Sequence, residues 1–153
     1  MLVTNHVLSG ALIGYAVRDP LASFSLGVAS HLALDSVPHW GDTRPLTRLL
    51  HVAVPDGLIG AATMLVITLR APSDLRVRVL AGMAGAAFLD ADKPSTLFFG
   101  CSPFPAAVDA VHKRIQRESP RRMPQELLVG VSGMLVVAAV TRRARRASPT
   151  VRP

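Results

Sequence analysis

The sequence predicts an all-α fold, a small helical membrane bundle with about five main apolar helices and one amphipathic helix. Half of the 153 residues are hydrophobic, but only 5% are aromatic. The mean hydropathy is +0.37. The apolar residues form long runs instead of alternating with polar ones, which is typical of membrane helices. We therefore expect an integral membrane protein, in the inner (plasma) membrane if it is bacterial.

The length fits one domain, which we place over residues 1–141, followed by a basic, disordered tail over residues 142–153. The formal net charge is +7. The basic residues lie between the apolar runs and in the tail, without interleaved aromatic residues for base stacking, so no nucleic-acid partner is expected. Membrane lipid is the expected partner, and the tail is predicted to contact anionic headgroups.

Two apolar helices are predicted at the N-terminus, over residues 3–17 and 21–37. Gly10 and Gly14 in the first are four residues apart, a spacing that lets two helices approach closely. Pro38 ends the second helix. No basic region precedes the first helix, so no cleavable signal peptide is predicted.

The remaining helices are predicted from further apolar runs. Residues 46–69 and 77–88 give the third and fourth. Residues 95–105 are rich in Pro, Phe and Ser and indicate a loop. Residues 106–118 are amphipathic and are expected at the membrane interface. Residues 125–140 form the last mainly apolar helix.

The segment from Ser30 to Asp42 contains two histidines and two aspartates at the end of an apolar helix. His31 and Asp35 are four residues apart, so a helix places them on one face. His39 follows after four more residues. Imidazole and carboxylate groups are ligands that suit zinc and related metals. The segment is therefore predicted to supply half of a metal site.

Helix order predicts where the other half comes from. Four consecutive antiparallel helices bring the start of the first and third and the end of the second and fourth to one end of the bundle. Ionisable side chains at bilayer depth are costly unless they are paired or ligated. We predict a divalent metal ion, most simply zinc, held by His6, His31, Asp35, His39, Asp56 and Asp90. A hydrogen-bonded His–Asp network that fixes helix packing is the alternative for the same residues.

Three short motifs carry a family resemblance over residues 4–94. They are T-N-H at the N-terminus, S-H-x-x-x-D-x-x-P-H-W over residues 30–40, and D-x-D-x-P over residues 90–94. Together they resemble the YdjM-like family of membrane-bound metal-dependent hydrolases. The resemblance implies hydrolase chemistry.

The chain departs from that family pattern at several positions. Asn5 stands between the threonine and histidine of the first motif. Leu89 replaces a proline and Lys93 a histidine around the aspartates. The family's H-R-x-x-T-H-S motif aligns with residues 113–119, where Glu118 replaces the second histidine. His112 lies one residue outside this alignment.

For a hydrolase, the metal would lower the pKa of a bound water and polarise the scissile carbonyl or phosphoryl group. Asp92 or Glu118 is the predicted general base, because a carboxylate that does not ligate the metal can take the proton from water. A site at the membrane interface with arginines and lysines around it fits a lipid or phosphate-bearing substrate.

Other functional classes are less well matched. The chain has no G-x-S-x-G, phosphate-loop or H-E-x-x-H motif, and Cys101 is its single cysteine. A non-catalytic membrane module with a structural or regulatory His/Asp metal site remains the main alternative. A sealed cluster would favour that module, and an accessible cavity would favour hydrolysis. A soluble helical bundle is a third interpretation.

Overall fold

The computed structural model describes residues 1–41 and 46–148. Asp42 and the end of the predicted tail, residues 149–153, lie outside the described residues. The described part is all-α, as predicted, and contains no β-strand. Its helices are α1 (Val3–Ala16), α2 (Pro20–Ser36), α3 (Leu46–Arg70), α4 (Arg76–Ala87), α5 (Asp92–Phe99), α6 (Ala106–Ile115) and α7 (Met123–Ala147).

The expectation of about five main apolar helices is not supported. In the described residues, two stretches are long and apolar enough to cross a membrane, Leu50–Arg70 in α3 and Pro120–Ala147 around α7. Helices α1, α2 and α4 contain 14, 17 and 12 residues. At the rise of an α-helix they are about 18–26 Å long, which is less than the bilayer core of about 30 Å. Their apolar runs resembled spans in composition but not in length.

Most of the surface of the two longer helices is exposed. Only 17% of the apolar window in α3 and 11% of that in α7 is buried. Leucine, isoleucine and valine side chains cover the exposed faces, among them Leu58, Leu65, Leu128 and Leu135. Large exposed apolar surfaces indicate contact with a protein or a membrane.

Glycines set the packing of α1, α2 and α4. A Cβ atom at Gly10 would overlap the backbone of Gly82, and one at Gly14 would overlap the backbone of Val79. Gly27 of α2 also faces Gly82. The small-residue spacing in α1 therefore allows the close approach of two helices that the sequence predicted. The antiparallel packing of α1 and α4 brings the start of α1 next to the end of α4.

Three helix bounds differ from the sequence prediction. The loop predicted over residues 95–105 was wrong for its first part, because α5 continues to Phe99 and ends where Gly100 adopts φ 76°. A left-handed glycine is a common helix terminator. The amphipathic helix α6 ends at Ile115. Helix α7 extends to Ala147, so residues 142–147 of the predicted tail are helical.

Candidate metal centre

Asp35, in the last turn of α2, lies at the centre of a buried histidine cluster. Its side chain is fully buried. Histidine Nε2 atoms surround its carboxylate, with His6 at 3.2 Å and His39 at 3.8 Å from Oδ1, and His112 at 3.1 Å and His31 at 3.3 Å from Oδ2. These side chains come from α1, α2, the segment after α2, and α6. The predicted convergence therefore occurs for His6, His31, Asp35 and His39.

His31, Asp35 and His112 form a triangle whose size fits a metal site. The two Nε2 atoms are 3.0 Å apart, and the carboxylate oxygen lies 3.1 and 3.3 Å from them. Two ligand atoms of a tetrahedral zinc site, each about 2.0–2.1 Å from the metal, are about 3.3 Å apart. The three atoms thus have almost the spacing of one face of such a site, and together they could hold a metal ion.

The far ring nitrogens of two histidines fix how the near nitrogens face the cluster. His31 Nδ1 lies 2.7 Å from the carbonyl oxygen of Ala86, and His39 Nδ1 lies 2.8 Å from that of Val37. A carbonyl can only accept, so each Nδ1 donates its hydrogen. In a neutral ring this leaves the Nε2 lone pair for a metal, an arrangement common among histidine ligands.

Several buried polar atoms around Asp35 lack hydrogen-bond partners among the described residues. They are both ring nitrogens of His6, Nε2 of His39, Oδ2 of Asp90 and Oδ1 of Asp92. Buried polar atoms without partners are rare in folded proteins. The carboxylate oxygens and the unprotonated ring nitrogens among them could be satisfied by a bound cation.

A second possible ligand group shares a histidine with the first. His6, His31 and Asp90 each offer an atom within 4.8 Å of the others. Burial alone would raise the pKa of Asp90, but the ammonium of Lys93, which forms an ion pair with it, lowers that pKa to about 2. Asp90 is therefore ionised at neutral pH. Lys93 pairs with this predicted ligand.

Two further polar groups contact Asp35. The α-amino group of Met1 lies 2.9 Å from Oδ1, and Gln116 donates from Nε2 to Oδ2 at 3.3 Å. Buried carboxylates need such polar partners, because an isolated charge is costly to bury.

Asp56, another predicted ligand, lies elsewhere and caps α1. Its carboxylate accepts hydrogen bonds from the backbone N–H of Val3 at 2.7 Å and of Thr4 at 3.2 Å, and from the Thr4 hydroxyl at 2.6 Å. The first N–H groups of a helix have no partner within the helix, and a carboxylate there is stabilising. Both Asp56 oxygens are occupied by this role.

Glu126, which no sequence pattern indicated, is a buried carboxylate that joins three parts of the fold. It lies in the first turn of α7 and is 1% exposed. Oε2 accepts from the Leu2 N–H at 3.0 Å and from the Asn5 amide at 2.8 Å, and Oε1 accepts from the Trp40 N–H at 3.2 Å. Its only signal in the sequence was a single acid at the start of an apolar helix.

The two predicted general bases differ in burial and in what their side chains contact. Asp92 Oδ2 is 3.8 Å from His112 Nδ1, and burial raises the pKa of Asp92. Glu118 is exposed, and its side chain lies against Gly41. Its backbone pairs with that of His39, whose carbonyl accepts from the Ser119 N–H at 2.9 Å.

His112 was missing from the predicted ligands but belongs to the central triangle. It is 4% exposed and lies on α6. Gln116, four residues later, contacts both His112 and Asp35. A histidine and a glutamine four residues apart on the polar side of an amphipathic helix were the available signal.

A cavity of about 690 Å³ borders Asp90 of the second ligand group, and Asp56 and Glu118 also line it. The histidines around Asp35 do not line this cavity. Its wall includes Asp90 and Lys93 together with Met1, Trp40 and apolar residues of α3 and α5. A second cavity of about 490 Å³ lies between α3 and α7 and is lined by Asp56 and Glu126 at its polar end. Only the first borders a member of the candidate metal groups.

Comparison with family models, with curated proteins and with solved structures finds no match to this chain. The resemblance to the YdjM-like family therefore stays a prediction from the motifs.

Proposed function

We propose that the chain is a membrane-bound, metal-dependent hydrolase that acts on a lipid or phosphate-bearing substrate at the membrane interface. The observation that carries the proposal is the triangle of His31, Asp35 and His112, whose sides match a zinc site. The cavity that reaches Asp90 supports catalysis over a sealed structural site. The family resemblance supports the same reaction class.

The proposal includes the membrane. Helices α3 and α7 would cross the bilayer, since their apolar surfaces are mostly exposed. The protein would then be integral to the plasma membrane, if bacterial. The arginines at the end of α7 and in the tail would contact anionic lipid headgroups, because basic residues next to a span are attracted to them. Within the residues that the structure describes, the exposed arginines of this end are Arg142, Arg143, Arg145 and Arg146.

The residues of the cluster have distinct proposed roles. His31, Asp35 and His112 would hold zinc, and His6, His39 and Asp90 would complete its shell or hold a second ion. The bound ion would supply a water of lowered pKa and polarise the scissile bond. Asp92 takes the proton from water, since its raised pKa suits a general base. Glu118 is the alternative base, and Asp56 caps α1.

A non-catalytic membrane module is the second candidate, and burial favours it. The side chains of His6, His31, Asp35 and His39 are 0% exposed. A structural zinc site is closed in this way, whereas a catalytic one keeps a position for water. Replacing zinc by Co²⁺ separates the two candidates. Added azide should change the visible Co²⁺ spectrum of a hydrolase and leave that of a closed site unchanged.

Metal content tests the proposal directly. Purified wild type should carry close to stoichiometric zinc, and His31→Ala and Asp35→Ala should lose it. His51→Ala is the matched control, because His51 is exposed and lies outside both ligand groups. Wild type without metal, or both cluster variants with full metal, would overturn the proposal.

Activity tests the general base separately. A screen with a p-nitrophenyl ester and bis-p-nitrophenyl phosphate identifies the class of bond. Asp92→Asn should keep the metal and lose about 100-fold or more of the rate, which is the usual contribution of a general base. An unchanged rate in Asp92→Asn together with a loss in Glu118→Gln would transfer the role to Glu118.

A further inference from the structure

The larger cavity, between α3 and α5, has a polar inner end and an apolar outer part. Asp90, a member of one candidate metal group, lies with Lys93 at the inner end, and Asp56 and Glu118 also line the cavity. Val54 and Leu58 of α3 and Phe98 of α5 form the outer part. A cavity with this division fits an amphiphile whose polar end faces the metal.

Exposed apolar side chains line the mouth of the cavity. Phe98 is 76% exposed, Leu58 is 67% exposed and Val54 is 50% exposed. Val54 and Leu58 belong to α3, one of the two stretches able to cross a membrane. Lipid chains of a bilayer around α3 would therefore lie directly against the mouth, so no aqueous step is needed for a chain to enter.

We infer that this cavity binds the acyl chain of a lipid substrate, which enters sideways from the bilayer and places its head group at Asp90. The inference rests on the proposed hydrolase function and narrows its substrate to a lipid with a chain long enough to fill the cavity. Water-soluble phosphate esters would lack the apolar part that the cavity walls can bury.

Two residues in the cavity wall allow this inference to be tested, one as a fluorescence probe and one as a site for a substitution that fills the cavity. Trp40 lies in the wall and is the chain's single tryptophan. Gly57 also lies in the wall, and a Cβ atom there would have no described heavy atom within 4 Å. Gly57→Phe therefore fills the cavity without a backbone clash. Ala62→Phe adds the same ring to an exposed position of α3 outside both cavities.

The experiment measures fluorescence quenching of Trp40 in reconstituted bilayers. The probe is a lysophospholipid with a brominated acyl chain, added in rising mole fraction. Wild type and Ala62→Phe should show saturable quenching at low mole fraction, and Gly57→Phe should need about tenfold or more of the probe, a difference of about 1.4 kcal/mol in binding. Equal quenching in Gly57→Phe, or quenching that rises without saturation in wild type, would overturn the inference.

Metal content of the same samples separates this inference from the proposed function. Quenching does not depend on catalysis, so it tests whether the cavity binds a lipid chain even if no substrate is hydrolysed. Zinc absent from wild type would overturn the hydrolase proposal alone. Zinc present with equal quenching in all three proteins would overturn the lipid-chain inference alone.

Discussion

The Nε2 atoms of His31 and His112 lie 3.0 Å apart, although 81 residues separate them in the chain. Two ring nitrogens this close repel each other unless a proton or a metal ion lies between their lone pairs. Because His31 Nδ1 already donates to Ala86, its Nε2 is the atom that presents the lone pair. His112 is therefore as important for the cluster as the residues of the sequence motif.

His112→Ala should lose zinc as completely as His31→Ala. Loss of an outer partner of a ligand typically weakens metal binding by about 10–100-fold, so loss of a ligand should exceed that range. A competition titration with a zinc chelator measures the change. Lys113→Ala is the neighbouring control, since Lys113 is exposed. Tight zinc binding in His112→Ala would remove it from the site.

Asp56→Ala should destabilise the protein and keep its metal. The substitution removes the cap of α1, which typically costs about 0.5–2 kcal/mol of the free energy of unfolding. Denaturation in detergent measures the loss, and zinc analysis of the folded protein measures the metal. Loss of zinc from folded Asp56→Ala would restore Asp56 to the ligands.

Glu126→Ala should weaken zinc binding although Glu126 does not contact the cluster. Its carboxylate holds both the start of α1, which carries His6, and the backbone of Trp40, which follows His39. We expect a loss of about 10–100-fold, as for outer partners of ligands, with a changed Co²⁺ spectrum. Leu127→Ala, at the exposed neighbouring position, is the control. An unchanged Co²⁺ spectrum in Glu126→Ala would limit Glu126 to stability.

Two glycine substitutions should change stability in opposite directions. Gly82→Ala would place a Cβ atom against the backbone of Gly10, and overpacking typically costs about 1–3 kcal/mol. Gly57→Ala meets no described atom and should gain about 0.5–1 kcal/mol, because alanine favours the helix. Thermal unfolding of the pair measures the difference, and equal midpoints would contradict the close contact.

Much of the cluster could be predicted from the sequence, because helix order alone brings helix ends together. His6, His31, Asp35 and Asp90 lie at ends that an antiparallel bundle places side by side. Asp56 belonged to the same end by this reasoning. Helix order does not determine which way a side chain faces, and Asp56 faces the N-terminus of α1.

The contributions of α6 and α7 could not be predicted in this way. His112 lies beyond the segment that follows α4, which has no long apolar runs. No simple rule predicts the path of such a segment, so the contact of His112 with Asp35 could not be predicted. Glu126 follows the same connection.

The number of possible membrane spans was overestimated because the apolar composition of α1, α2 and α4 resembles that of spans. These glycine-rich helices are nevertheless too short to cross a bilayer.

The close glycine contacts between α1 and α4 have a consequence for redesign. The backbones of the two helices approach directly, through contacts that include none of the cluster side chains. Substitutions in the cluster are therefore expected to leave the α1–α4 contact in place. In the metal site proposed above, replacing His112 by cysteine or aspartate would shift the preference toward softer or harder ions while the α1–α4 contact stays the same.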